Sequence, residues 1–169
     1  MIPVSNIIEK MFAFSDGNLH DINHFMKVWG FAKVIGELEH LDAQTQFILE
    51  VAAVTHDIAC PLCRAKYGNA NGKLQEKEGA ELVVRFLEDA GLTEEEIDRV
   101  SYLVGHHHTY TSIDKADYQI LIEADYLVNA EESNYSAEEI EAEYRTVFNT
   151  KSGLRLLKEV HQLNTRTIG

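Results

Sequence analysis

Apolar residues in this chain recur at three- and four-residue steps almost from end to end, the period of an amphipathic helix. Ile22, Phe25, Trp29, Ala32 and Ile35 form one stripe, and Phe47, Val51, Val54 and Ile58 form another. Helices are expected at 3–13, 20–39, 42–56, 73–90, 93–107, 117–131, 136–149 and 152–163. Thr93-x-x-Glu96 and Ser136-x-x-Glu139 match the capping box, in which a side chain and the backbone of a first turn satisfy each other. Asp42 suits the cap of the helix after Leu41, Gly91 closes the helix ending at Ala90, and Ser152-Gly153 separates the last pair. Neither proline interrupts a stripe. No strand, internal repeat or linker is read, and 169 residues suit one core. The expectation is a single all-α domain, a helical bundle spanning 1–169.

One segment escapes the period. Cys60 to Gly72 is expected to be a long irregular loop, with Gly68-Asn69-Ala70-Asn71-Gly72 its flexible part. Loops of that length in a compact domain often serve a site. The pair Cys60-x-x-Cys63 stands alone, half of a zinc-ribbon ligand set, and no βαβ pattern surrounds it. It reads as two reduced, partly buried thiols beside a turn at Pro61.

Charge restricts the partners. Against 15 basic residues stand 28 acidic ones, a formal net charge of −13, and no Lys/Arg cluster is present to neutralise a phosphate backbone. A nucleic-acid polymer is therefore not expected, although a small phosphorylated molecule needs only one or two cations. No apolar run approaches the roughly 18 residues of a membrane span, and MIPVSNIIEKMF lacks the features of a signal peptide. A cytoplasmic protein without a membrane partner is expected. A homodimer fits on general grounds.

The chemistry-bearing residues lie on the apolar stripes. His24 shares a face with Val28 and Ala32, His56-Asp57 ends the next stripe, and Asp125 sits inside ILIEADYLV. A buried unpaired carboxylate is costly, so Asp125 requires a cation or strong donors. Together His24, His56, Asp57 and Asp125 offer two nitrogen and two carboxylate ligands from three helices. That mixture suits a divalent Fe, Mn, Zn or Ni ion with positions left for water. Glu123, two residues before Asp125, faces elsewhere on a helix.

At these residues the sequence resembles the HD-domain superfamily of metal-dependent phosphohydrolases. The ordered signature of a His, a His-Asp dipeptide and a distant Asp is matched by His24, His56-Asp57 and Asp125, over roughly 18–130. His20-Asp21 is a second such dipeptide, but no earlier helix carries a His to precede it. The resemblance implies an all-α metal fold that hydrolyses phosphate esters, often of nucleotides, with His24, His56, Asp57 and Asp125 as ligands. Some branches hold a second ion on further histidines. At one of those places, four residues before Gly79-Ala80, this chain has Gln75, a poor ligand for a transition metal, with Glu78 nearby as a substitute. At the other stands the run His106-His107-His108.

The stripe of Ile97, Val100 and Val104 continues to His107 or His108, and the resemblance favours the start of the run. His107 is therefore expected first at the site, His106 second, and His108 on the outside. Asp57, His107 and His106 are the expected catalytic side chains, and Arg64, Lys66 and Lys73, beside the loop, the expected phosphate contacts. One ion is expected and a second is left open by Gln75. Two other readings share the pattern: a mixed-valent di-iron oxygenase, which needs a filled second position, and a non-catalytic module that keeps a metal for stability or senses a ligand.

Overall fold

The computed structural model describes residues 1–163, and among them the chain forms nine helices and no strand. They are α1 (Val4–Phe14), α2 (Leu19–Leu38), α3 (Ala43–Thr55), α4 (Cys60–Tyr67), α5 (Gly72–Leu87), α6 (Glu94–Val104), α7 (Ala116–Glu132), α8 (Ala137–Val147) and α9 (Lys151–Val160). The starts are built as the sequence indicates. Thr93 and Ser136 head complete capping boxes, and Asp42 accepts from the backbone of Gln44 and Thr45, both at 3.0 Å.

Helix α7 is the axis of the fold. Thirteen of its residues, from Asp117 to Ala130, are buried, and a helix apolar on all sides belongs inside a protein. Helices α2 and α3 pack on it and on each other, α6 covers α3, and α5 lies along α6. Helices α8 and α9 close the far side of α7. The α9 approach is tight enough that a Cβ at Gly153 would stand 2.0 Å from Glu123 Oε2. Gly153 is thus inside the first turn of α9, as the residue that lets it dock, rather than a break before it.

The segment Cys60 to Gly72 departs from expectation, because its first eight residues are helix α4. Pro61 falls in the first turn, where the missing N–H would have had no helical partner, so it starts a helix instead of a turn. Gly68, at φ 73°, ends α4 in the left-handed conformation, and Asn71 caps α5 through Leu74 N at 3.2 Å. Cys60 and Cys63 are both free and buried. Ala43–Tyr67 reaches the length and hydropathy of a membrane span, but 72% of that window is buried in the fold. It is a core element, and it carries His56-Asp57 into the centre.

Candidate metal centre

Three helices and one turn converge on a buried cluster of imidazoles and carboxylates. His24 comes from α2, His56 and Asp57 from the end of α3, Asp125 from the middle of α7, and His107 from the turn after α6. His24, His56, His107 and Asp125 are all buried, while the Asp57 side chain keeps 27% of its surface exposed. Asp57 is thus the most exposed of the five.

His24 and His56 aim Nε2 at Nε2 across 3.2 Å. His56 donates Nδ1–H to the Ala53 carbonyl at 2.8 Å, and His24 Nδ1 stands 2.8 Å from Glu132 Oε2, an oxygen that accepts from it. Both neutral rings therefore present lone pairs to one another, which calls for a cation or a proton between them. Two carboxylates add to the demand. Asp125 Oδ1 lies 3.2 Å from His24 Nε2 and 3.4 Å from His56 Nε2, and Asp57 Oδ2 is 3.4 Å from His24 Nε2.

Protonation shows how strong that demand is. Burial opposes charge on His24, yet the hydrogen bond to Asp125 and the charges of Asp57 and Asp125 push its pKa up to about 10. Burial also opposes charge on Asp57 and Asp125, and the imidazoles around them hold both carboxyls well below the usual range. A divalent ion meets the same need with ligands of the right type. The ligand atoms of His24, His56 and Asp57 all lie within 4.8 Å of one another, as do those of Asp57, His107 and His108.

The second group is built around Gln75. Its Nε2 donates to Ala70 O at 2.6 Å, which turns Oε1 toward His107 Nε2 at 3.3 Å and His108 Nε2 at 2.9 Å. His107 already donates Nδ1–H to Val104 O at 2.8 Å, so its Nε2 brings a second bare lone pair to an oxygen that only accepts. His107 Nε2 also lies 3.4 Å from Asp57 Oδ1, so Asp57 faces both groups. Burial and the neighbouring His107 push the His108 pKa down to about 4, which keeps that ring neutral.

The three histidines are not arranged as the sequence suggested. His108, expected outside, is half-buried beside Gln75, and its ring lies so close to the backbone that a Cβ on Gly72 would stand 2.7 Å from it. His106, expected at the site, bonds Tyr102 O through Nδ1 at 2.7 Å and stacks on the Tyr102 ring with centroids 4.3 Å apart. The cause is the helix end. Helix α6 stops at Val104, and the turn is clamped by Tyr118 Oη donating to His106 O and by Glu76 accepting from His108 N at 3.0 Å. Glu78, weighed as a substitute ligand, instead binds Lys66 at 3.0 Å and Tyr67 Oη at 2.5 Å, away from the cluster.

A cavity of about 280 Å³ opens from His24, Asp57 and Gln75 to the surface. Arg64 is on its wall, ion-paired with Asp21. Lys66, held by Glu78, and Lys73, exposed on α5, do not line it. His20 and Asp21 do line it, as do Asn129, Glu132 and Ser133, three residues that sequence reasoning did not single out. Their signal was helical spacing: 129, 132 and 133 follow Asp125 at four, seven and eight residues, one face of α7. A larger surface groove of about 570 Å³ between Ile113–Gln119 and Arg145–Thr150 contains none of the cluster.

The model of the HD domain family matches residues 21–144, well over half of the chain. The chain belongs to the HD domain family. Members of the family are generally metal-dependent hydrolases, and the cluster above occupies the matched region. A crystal structure described as a predicted HD superfamily hydrolase from an uncultured Thermotogales bacterium is similar at 26% identity and a TM-score of 0.65. The similarity covers 93% of this chain and 82% of that one. No curated protein matches the chain.

Proposed function

We propose that this HD-domain protein hydrolyses a phosphate ester of a small phosphorylated metabolite, using a divalent Fe, Mn, Zn or Ni ion held by His24, His56, Asp57 and Asp125. The observation that carries the reading is the meeting of bare imidazole nitrogens with two ionised carboxylates at the floor of an open cavity. The family and the name of the solved relative point the same way. When bound, the ion lowers the pKa of a water toward neutrality and draws charge from a phosphoryl oxygen.

The chain's own groups do the rest. Asp57, exposed to the cavity, orients the attacking water, and Arg64 neutralises the phosphate. The water oxygen forms the new P–O bond, the ester P–O bond breaks, and one proton of the water ends on the leaving alcohol. His107, His108 and Gln75 with Asp57 form the position for a second ion. Here His108 makes up for the imidazole that Gln75 does not supply, and Gln75 lends an amide oxygen, so this position binds more weakly.

A metal-supplemented screen of phosphate esters, followed by phosphate release, tests the activity. Asp57→Ala is expected to remove both ions and lower turnover by about 10³-fold or more. His108→Ala is expected to remove only the weaker ion, read by isothermal titration. Release that survives chelation, or that Asp57→Ala leaves intact, sinks the reading.

A further inference from the structure

The wall of the cavity has a composition that bears on what alcohol the ester carries. Its lining residues include no Phe, Tyr or Trp, and Cys60 and Ala70 are its chief apolar contributions. A nucleobase buried in a site is ordinarily held between aromatic or apolar faces, and this wall offers little of that kind: the His24 ring is tied to Glu132 and His56, Arg64 is tied to Asp21, and His20 is an exposed imidazole. Its cations are also few and already matched. Arg64 is paired with Asp21, and Lys27, just outside, is shared by Glu131 at 2.7 Å and Glu132 at 3.1 Å. With a formal net charge of −13 around them, these groups suit one phosphate dianion and disfavour a di- or triphosphate.

What the wall does offer is hydroxyl recognition. Asn129 and Ser133 follow Asp125 along α7 at one and two turns, about 6 and 12 Å above it at 1.5 Å per residue. No side-chain hydrogen bond engages Asn129, Ser133 or His20 among the described residues, and all three face the cavity. Glu132 and Asp21 bring carboxylate oxygens, which accept from hydroxyls. The result is a ladder of amide, hydroxyl and carboxylate groups rising from the ion position.

Resting on the phosphohydrolase reading, we propose that the substrate is the phosphomonoester of a small hydroxyl-rich alcohol, a polyol or sugar phosphate, with Asn129 and Ser133 reading its hydroxyls. The test compares kcat/KM on glycerol phosphate and a hexose phosphate with propyl phosphate, which lacks the hydroxyls, and with a nucleoside monophosphate and triphosphate. The metal-loaded full chain is used throughout. Glycerol or hexose phosphate is expected to exceed propyl phosphate by about tenfold or more, and both nucleotides by a similar margin. Asn129→Leu is expected to lower the polyol-to-propyl ratio by about five- to tenfold, and Ser133→Ala by less. Equal rates on propyl and polyol phosphates, or a preference for the nucleotides, overturn the substrate class and leave the phosphohydrolase reading standing. No release from any ester, p-nitrophenyl phosphate included, at full metal content overturns that reading as well.

Discussion

Helix α7 carries two buried carboxylates, Glu123 and Asp125, that meet opposite surroundings. Glu123 accepts from Asn149 N at 2.7 Å, Thr150 N at 2.8 Å, Gln119 Nε2 at 2.7 Å and Thr150 Oγ1 at 2.5 Å. Every one of those donors is neutral. Burial pushes the Glu123 carboxyl above its ordinary pKa, against the pull of the four bonds. Asp125 is as deeply buried, yet its partners are His24 and His56, and its carboxyl is held well below the usual range. Glu123 therefore ties the start of α9 to α7, whereas Asp125 is half of an unfinished charge balance. Burial alone does not mark a functional acid; the partners do.

The largest effect that separates the two acids is expected from Asp125→Asn. It removes one of the two negative charges facing His24 and His56, so bound metal falls to near zero and turnover by about 10³-fold. The metal-free fold is expected to lose some stability as well, because the protonated His24 is left with one fewer buried counter-charge, so the loss of metal is what sets Asp125 apart. Metal analysis together with thermal unfolding of the metal-free protein checks both halves. A variant that binds metal normally would erase the contrast with Glu123.

Glu123→Ala should cost stability and leave the metal in place. Four donors lose their acceptor inside the protein, at a cost of about 3 kcal/mol in unfolding free energy by denaturant titration. Metal content of the protein that remains folded is expected to stay at the wild-type level. A drop in metal with no change in stability would put Glu123 on the wrong side of the comparison.

The sequence made these two acids hard to tell apart, and the reasons are physical. Helical spacing is local, so it sends Glu123 and Asp125 to different faces and says nothing of what waits there. The partners of Glu123 include backbone groups of Asn149 and Thr150, 26 and 27 residues further along the chain, and backbone donors leave no motif. His24, His56, Asp57 and Asp125 were legible because each stood as a polar residue on an apolar stripe, in a recognisable order. The HHH run was only partly legible. Its division among Tyr102, the cluster and Gln75 depends on where α6 stops, and helix ends are set by tertiary clamps such as Tyr118 and Glu76. Helix α4 was missed because a proline between two cysteines suggests a turn, although the first turn of a helix accepts it equally well.

A third acid on α7 sharpens the comparison at smaller scale. Glu132 touches no ion position but accepts from His24 Nδ1, while His56 and His107 lean on backbone carbonyls. A carboxylate behind a ligating imidazole fixes its tautomer and raises its basicity. Glu132→Ala is expected to weaken metal binding by about 10- to 100-fold, with the fold unaltered by circular dichroism. Glu132→Gln, whose amide oxygen still accepts from Nδ1–H, should recover part of the loss. If alanine and glutamine bind metal as the wild type does, His24 is oriented by packing alone.

The smallest expected effect concerns protons, and it again turns on what Asp125 lacks and Glu123 has. In the metal-free protein the pKa of His24 is raised from 6.5 to about 10. A raised imidazole pKa means that the folded state holds the proton more tightly than the unfolded chain does. The resulting stability is complete below pH 6.5 and disappears as pH rises through about 10. With a metal bound, the cation sits where the proton was needed and His24 no longer takes one up. The midpoint of thermal unfolding for the metal-free protein is therefore expected to fall between pH 7 and pH 10 relative to the loaded protein. Asp57 and Asp125 act at the other end, since their depressed pKa values contribute stability that is lost as pH drops below the ordinary carboxylate range. A gap between the loaded and metal-free curves that stays constant from pH 7 to 10 would mean that no proton replaces the ion, and that the lone pairs of His24 and His56 are kept apart by some other means.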